Sequence, residues 1–196
     1  MFKLFSTLAL LSFFATETTF AHQFETSTIH LTPSHDTFVR KDRKSESYGN
    51  NGKITITKAG SKQRIGLMKF DTSEHIVGSD GSTKVSLRLG VAETHDSKPV
   101  DVKIYKLKGD FHEDSIDWNA LNGSVEKESH VEFTVLSEYK DSVGEVDVTN
   151  LLSEGEDTVF AFVVENEGHV KFHSKEHSAA SHMTPKLVIN RNANEF

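Results

Sequence analysis

Apolar and polar residues alternate with a period of two along most of this chain. The clearest case is residues 83–91, where Val85, Leu87 and Leu89 share one face and Arg88 lies on the other. Such alternation is typical of half-buried antiparallel strands. The residue types, rich in Val, Ile, Thr and Phe, also favour strands. We expect ten strands, at 27–31, 37–40, 53–57, 64–71, 83–91, 100–105, 131–135, 158–165, 170–174 and 185–190.

Turn residues separate these runs, as at 48–52 and 166–168. One short helix is expected at 147–155, because Asp147 can cap its start and Gly155 can end it. About ten short strands at regular spacing, with one short helix, predict an all-β fold in which two antiparallel sheets form a β-sandwich.

The N-terminus has the three regions of a secretory signal peptide. Lys3 provides the positive charge, residues 4–14 are almost wholly apolar, and Ala21 ends a small-residue cleavage motif. The apolar run is too short to span a bilayer, which needs about 20 residues. The alternative, a buried N-terminal helix, is disfavoured by the polar chain after Ala21. We therefore expect a signal peptide at 1–21, a single domain at 22–196, a secreted or cell-wall location, and no membrane association after cleavage.

Composition excludes several kinds of function. The sequence contains no cysteine, so it cannot form zinc-thiolate sites, thiol nucleophiles or disulfides. Its formal net charge of −7 disfavours nucleic acid as a partner, because phosphate contacts require clustered Lys and Arg. Glu113, Asp114 and Asp117 are close in sequence, but glycosidase catalysis needs a set separation across a cleft. We predict that the protein is not an enzyme.

Seven short motifs occur in a fixed order between residues 33 and 190. They are His-Asp-Thr-Phe-Val at 35–39, Tyr-Gly-Asn at 48–50, the Arg…Leu-Met-Lys-Phe-Asp strand at 64–71, Phe-His-Glu-Asp-Ser-Ile-Asp-Trp at 111–118, Asp-Val-Thr at 147–149, Phe-His-Ser-Lys-Glu at 172–176 and Pro-Lys-Leu at 185–187. In this order the chain resembles the DNRLRE-type domain family, which is related to disaggregatase and includes alginate-binding carbohydrate-binding modules.

The resemblance implies a jelly-roll β-sandwich that binds polysaccharide. The chain departs from the family pattern at three positions: His35 replaces Ala, Phe111 replaces Trp, and Lys175 replaces Arg. The loss of one aromatic ring and one guanidinium affects the expected ligand contacts more than the expected fold.

Basic and aromatic side chains are the candidate contacts for such a ligand. If the apolar residues of the strands face the core, then Arg88, Lys103 and Tyr105 face outward, and we expect them on one sheet surface with Lys69 beside them. A basic loop precedes Tyr48. Arg and Lys pair with sugar carboxylates, and a Tyr ring packs on a sugar face. The predicted carbohydrate-binding residues, for an acidic or cell-wall polysaccharide such as a polyuronate, are Arg40, Arg43, Lys44, Tyr48, Lys69, Arg88, Lys103 and Tyr105. The alternative is that these are solvated charges that discourage edge pairing.

Other polar residues suggest weaker hypotheses. His169 and His173 are four apart in a strand and therefore about 13 Å apart, so we interpret the late histidines as incidental surface residues. No cofactor is expected, although Asp36 and Asp147 are candidates for a structural calcium. Glu176 is a candidate buried partner for a strand residue, Arg64.

Two alternative functions remain open at this point. One is an extracellular structural or interaction protein on the same fold, for example a wall component sensed by a host. The other is a copper-dependent polysaccharide oxidase, because cleavage after Ala21 would leave His22 as an N-terminal metal ligand. A glycosylation sequon begins at Asn122 and has meaning only in a eukaryotic source.

Overall fold

The alternating sequence forms eleven strands in a computed structural model that describes residues 26–76, 83–95, 98–121, 125–177 and 181–192. The predicted signal peptide, His22 and the Asn122 sequon lie outside these residues. Among the described residues, no helix has the length and apolar character needed to cross a membrane. The strands are β1 (Thr26–Leu31), β2 (His35–Arg40), β3 (Lys53–Ala59), β4 (Lys62–Phe70), β5 (Thr83–Thr94), β6 (Val100–Leu107), β7 (Val125–Val135), β8 (Val143–Asp147), β9 (Thr158–Val164), β10 (Gly168–His173) and β11 (Lys186–Asn192).

All strand pairs are antiparallel, and they form two packed layers of one curled sheet. The smaller layer has the order β1-β11-β5-β8. The larger layer has the order β10-β3-β4-β9-β6-β7, and β2 pairs with β4. The end of β5 joins the layers, because Val91 and Thr94 pair with β10. The predicted all-β sandwich is therefore confirmed.

The main core lies between the two layers and contains the apolar residues of the alternating strands. Leu87 of β5, Ile104 of β6 and Ile189 of β11 are fully buried there, together with Phe160 and Phe162 of β9. Burial of side chains of this size contributes about 1.5–3 kcal/mol each to stability. The period-two pattern in the sequence thus shows which face of each strand is buried in the core.

A second apolar cluster lies on the outer face of the larger layer. Leu67 and Ala161, which are fully buried, and Val159 alternate with core residues on β4 and β9. Phe111 and Leu121, from the segment 108–121, cover them. This cover explains why β9 is apolar on both faces, and it fixes the segment 108–121 against the sheet.

The helix prediction is wrong in its position. The α-helix of the described chain, α1, is Trp118–Leu121, and the Asp117 carboxylate caps it by accepting the N–H of Ala120 at 2.9 Å. In the predicted region the chain makes only a 3-10 turn, Thr149–Leu151. There Asp147 accepts the N–H of Thr149 at 2.9 Å, but the N-cap residue is Val148, without a side-chain capping bond, so the predicted cap is one residue out of place. The strand β8, which we did not predict, ends at Asp147 and occupies the start of that region.

Candidate functional site

The predicted carbohydrate-binding residues are divided between two layers and a loop. Lys69, Lys103 and Tyr105 share the outer face of the larger layer, because their partners on β9 belong to the outer cluster or lie beside it. Arg88 lies in the smaller layer, opposite Glu145 of β8. The expectation that Arg88 shares a surface with Lys103 and Tyr105 is therefore wrong. The reason is that β5 and β6 belong to different layers, so their outward faces point in opposite directions.

The cations on the outer face of the larger layer are neutralised by neighbouring carboxylates. The Nζ of Lys103 lies 3.0 Å from Glu132. The Nζ of Lys69 lies 2.9 Å from Asp110, and only 13% of the Lys69 side chain is exposed. Burial raises the pKa of Tyr105. These contacts hold the sheet and the segment 108–121 together and leave little free positive charge.

The loop between β2 and β3, residues 41–52, contains a different arrangement. We call Arg40, Arg43 and Arg64, with the carboxylates of Asp42 and Glu46, the arginine cluster. Arg40 and Arg64 are directly opposite each other on β2 and β4. Asp42 accepts two bonds from the Arg40 guanidinium, at 3.1 Å from Nε and 2.6 Å from the terminal nitrogen. These bonds, with the nearby charge of Arg64, lower the pKa of Asp42 to about 2.

Tyr48 anchors the arginine cluster to the core. Its ring stacks on Phe38 with a centroid distance of 4.5 Å, and its hydroxyl donates to Glu46 at 2.6 Å. The guanidinium of Arg43 binds the other oxygen of Glu46 at 2.8 Å and is 58% exposed. The guanidinium of Arg40 lies 5.7 Å from the centre of the Tyr48 ring, within the range of cation–π attraction. The structure therefore brings the predicted residues Arg40, Arg43 and Tyr48 together.

The loop is fixed against the segment 108–121. A Cβ built on Gly49 would lie 2.7 Å from the carbonyl oxygen of Glu113, so only glycine allows this approach. The Nδ2 of Asn119 donates to the carbonyl of Lys44 at 3.4 Å, and the Lys44 residue is exposed. The loop is thus held in one place while its basic side chains reach solvent.

A second charged group, which we call the acidic cluster, includes Glu113, the residue whose backbone Gly49 approaches. It consists of Asp36, Glu113 and Glu176, with Lys175 among them. The Nζ of Lys175 lies 2.8 Å from Glu113 and 3.0 Å from Glu176. Asp36 is 1% exposed and accepts the backbone N–H of Lys175 at 2.7 Å. Burial, reinforced by the charge of Glu176, raises the pKa of Asp36 to about 8.

The sequence profile of carbohydrate-binding module family 96 matches residues 27–191, which include both charged clusters and all of the described strands except the first residue of β1 and the last residue of β11. This chain belongs to carbohydrate-binding module family 96. A comparison with curated proteins finds no match. The polysaccharide-binding class implied by the sequence motifs is therefore confirmed at the level of a carbohydrate-binding module.

Two further expectations for this family 96 module are corrected. Glu176 is not the partner of Arg64: it binds Lys175, and the Arg64 guanidinium lies over the Phe38 ring at 5.9 Å. The reason is that Lys175, the neighbour of Glu176, folds back into the acidic cluster. Of the two calcium candidates, only Asp36 is grouped with other acids among the described residues, whereas the Asp147 carboxylate accepts the N–H of Thr149.

The late histidines of the family 96 module are not all surface residues. His173 is 8% exposed, and the ring of His177 lies 4.0 Å from its ring. A turn closed by the N–H of His177 and the carbonyl of Ser174 reverses the chain and produces this contact. Burial, followed by the charge of His177, lowers the pKa of His173. The spacing argument concerned His169 and His173, which both lie in β10, and it did not apply to His177, which lies in the turn after that strand.

Arg64 is the arginine of the cluster that the sequence analysis did not include among the candidate sugar contacts. Its strand was predicted, and its basic character was visible. Its place opposite Arg40 depends on the pairing of β2 with β4, which no local pattern gives.

Proposed function

We propose that this module is a secreted, non-catalytic protein that binds an acidic polysaccharide of the polyuronate class at the arginine cluster. The coarser statement, that it is a carbohydrate-binding module, follows from its family. The N-terminal sequence supports secretion. The excess of positive charge near Tyr48 is the basis for the proposed ligand and site.

The observation that carries the proposal is the pairing of Arg40 with Arg64. Like charges directly opposite each other on neighbouring strands are destabilising. Only one carboxylate, Asp42, is bonded to this pair in the described structure. The pair therefore keeps an excess positive charge in a chain whose formal net charge is −7. A uronate carboxylate would balance that charge through parallel N–H bonds, the geometry that arginine favours.

Exposure distinguishes the roles of the residues in the cluster. The Arg43 side chain is 58% exposed, against 21% for that of Arg40, and it is our first choice for direct contact with the sugar. Lys44 is also exposed and would extend the positive surface along a polymer. Tyr48 offers less ring surface, because Phe38 covers one face. We therefore assign Tyr48 mainly to positioning the loop.

The remaining predicted residues are less suited to this ligand. Lys69 and Lys103 are each bonded to a carboxylate, and Arg88 lies in the other layer, opposite Glu145. A sugar chain bound at the arginine cluster therefore need not reach them. We propose that Lys69 and Lys103 stabilise the sheet rather than the complex.

A polysaccharide panel tests this function. Purified protein is titrated by isothermal calorimetry with polymannuronate, polyguluronate and polygalacturonate, and with neutral xylan and soluble cellulose derivatives. We expect binding to at least one polyuronate, none to the neutral chains, and weaker binding as salt concentration rises. Arg43→Ala should weaken binding, and Lys84→Ala, an exposed cation of the smaller layer, should not. Binding to neutral chains alone, or equal effects of both variants, would refute the proposal.

A further inference from the structure

The acidic cluster is separate from the proposed sugar site and has features of an ion-binding site. We propose that Asp36, Glu113 and Glu176 bind a calcium ion. The three residues come from the start of β2, the segment 108–121 and the turn after β10, which are distant in sequence. An ion at this point would add to the bonds that already join these three parts of the chain. The proposal does not depend on which polysaccharide the module binds.

The spacing of the carboxylate oxygens fits calcium. Each of the three residues offers one oxygen, and these oxygens lie within 4.8 Å of one another. Calcium–oxygen distances are about 2.3–2.6 Å, so two ligands on opposite sides of the ion are roughly 4.8 Å apart. Magnesium requires a tighter octahedron with bonds of about 2.0–2.1 Å and retains most of its water. The three carboxylate oxygens are thus close enough to share one ion, and calcium exchanges water for protein oxygens more readily than magnesium does.

A buried oxygen without a partner gives the second, independent indication. Asp36 is 1% exposed, and its Oδ1 makes no hydrogen bond within the described structure. Its Oδ2 is fixed by the N–H of Lys175. Leaving a buried acceptor without a hydrogen bond is destabilising, and more so for a charged group. A cation in the cluster would remove this cost.

Charge balance supports the same conclusion. Three carboxylates face one ammonium group, that of Lys175, which contacts one oxygen of Glu113 and one of Glu176. With all three carboxyl groups ionised, a divalent ion beside Lys175 would make the cluster neutral. The side chains of Glu113 and Glu176 are 16% and 27% exposed, so the ion can enter from solvent and water can complete its coordination.

Lys175 also provides a matched variant. An arginine at this position would keep the positive charge, but its guanidinium has five N–H donors and extends further than an ammonium. It would reach the free oxygen of Asp36 and fill the space that we assign to calcium. Lys175→Arg is therefore expected to abolish calcium binding without adding or removing charge.

The test compares thermal unfolding of the purified protein in EDTA and in millimolar calcium chloride, together with calorimetric titration of calcium chloride in the absence of any sugar. We expect calcium to raise the melting temperature by several degrees and to bind at one site. Asp36→Asn and Lys175→Arg should abolish both effects, and Glu176→Gln, at a more exposed position, should weaken them. Asp42→Asn, in the arginine cluster, should keep them.

Three results would overturn the proposal: no calcium effect on the folded wild type, an undiminished effect in both Asp36→Asn and Lys175→Arg, or an equal response to magnesium chloride. Circular dichroism establishes that each variant is folded. Because no sugar is present in this test, a failure of calcium binding would not contradict the proposed polysaccharide binding. Likewise, a failure of polysaccharide binding would not contradict the proposed calcium site.

Discussion

Arg40 and Arg64 occupy directly opposed positions on β2 and β4, and the carboxylate of Asp42 binds the first of them through two hydrogen bonds. This relationship distinguishes the arginine cluster from the other basic groups of the module. At the outer face of the larger layer, Lys69 and Lys103 are each matched by a carboxylate. Around Tyr48, the arginines outnumber the carboxylates, so an anionic ligand could pair with the excess positive charge.

If a uronate binds at the arginine cluster as proposed, Asp42 would compete with it for the Arg40 guanidinium. Asp42→Asn should therefore increase polyuronate affinity at low salt and make that affinity fall more steeply as salt is added. It should also lower the free energy of unfolding, because Arg40 and Arg64 then repel each other without a counter-charge. Calorimetry at three salt concentrations measures the change in affinity, and urea unfolding measures the change in stability.

Glu145→Gln, which removes the acid opposite Arg88, serves as the control for Asp42→Asn and should leave affinity unchanged. Lower affinity in Asp42→Asn would show that the aspartate itself holds the sugar.

Gly49 holds the basic loop against the segment 108–121. Gly49→Ala should destabilise the protein by about 1–3 kcal/mol, because the added Cβ would lie 2.7 Å from the backbone oxygen of Glu113. Gly52, three residues later, provides the control, since a Cβ there would meet no atom within 4 Å. Gly52→Ala should be neutral or slightly stabilising. Urea unfolding measures both, and an equal loss in the two variants would contradict the packing that we describe.

Phe111 fixes the segment 108–121 to the outer face of the larger layer. Phe111→Ala should lower the free energy of unfolding by about 3–5 kcal/mol, because this ring is 4% exposed among Leu67, Leu107 and Ala161. Phe111→Leu should cost less, since it fills part of the same space. Guanidinium unfolding monitored by Trp118 fluorescence measures the loss. A change below about 0.5 kcal/mol in Phe111→Ala would mean that the second cluster is not a packed core.

The sequence predicted the sandwich well because burial leaves a local signature. In β5 and β6, every second residue is apolar, and those residues form the core. The strand β8 was missed because Gly144 and Glu145 interrupt its two valines. The helix α1 carried a readable signal, the capping residue Asp117, but its four residues are too short to show a helical period.

The site was harder to predict because it depends on pairings between distant segments. The sequence identified Arg40, Arg43 and Tyr48, which are neighbours along the chain. It could not place Arg88 and Lys103 on opposite layers, because that requires the strand order. The opposition of Arg40 and Arg64 likewise requires the register of β2 on β4.

His173 predicts how stability depends on pH. Its pKa is lowered in the folded state by burial, then by the charges of His177, Lys53 and His182, and Asp141 opposes this effect. The unfolded chain therefore takes up a proton near pH 6.5 that the folded chain resists. The free energy of unfolding should fall as pH decreases from about 7.5 to 5.5. Urea unfolding across this range should show a smaller slope for His173→Asn, and the wild-type slope for His30→Asn at an exposed position. An unchanged slope in His173→Asn would contradict this assignment.

The most direct test of the account compares Arg64→Gln with Arg88→Gln. Both residues are half-buried strand arginines, but they lie in different layers, and only Arg64 faces Arg40. The measurement is calorimetric affinity for the best-bound polyuronate at low salt, with circular dichroism to establish folding. We predict that Arg64→Gln weakens binding at least about tenfold, equivalent to 1.4 kcal/mol, and that Arg88→Gln leaves it unchanged. Strong loss in Arg88→Gln with none in Arg64→Gln would contradict the account and place the sugar on the smaller layer.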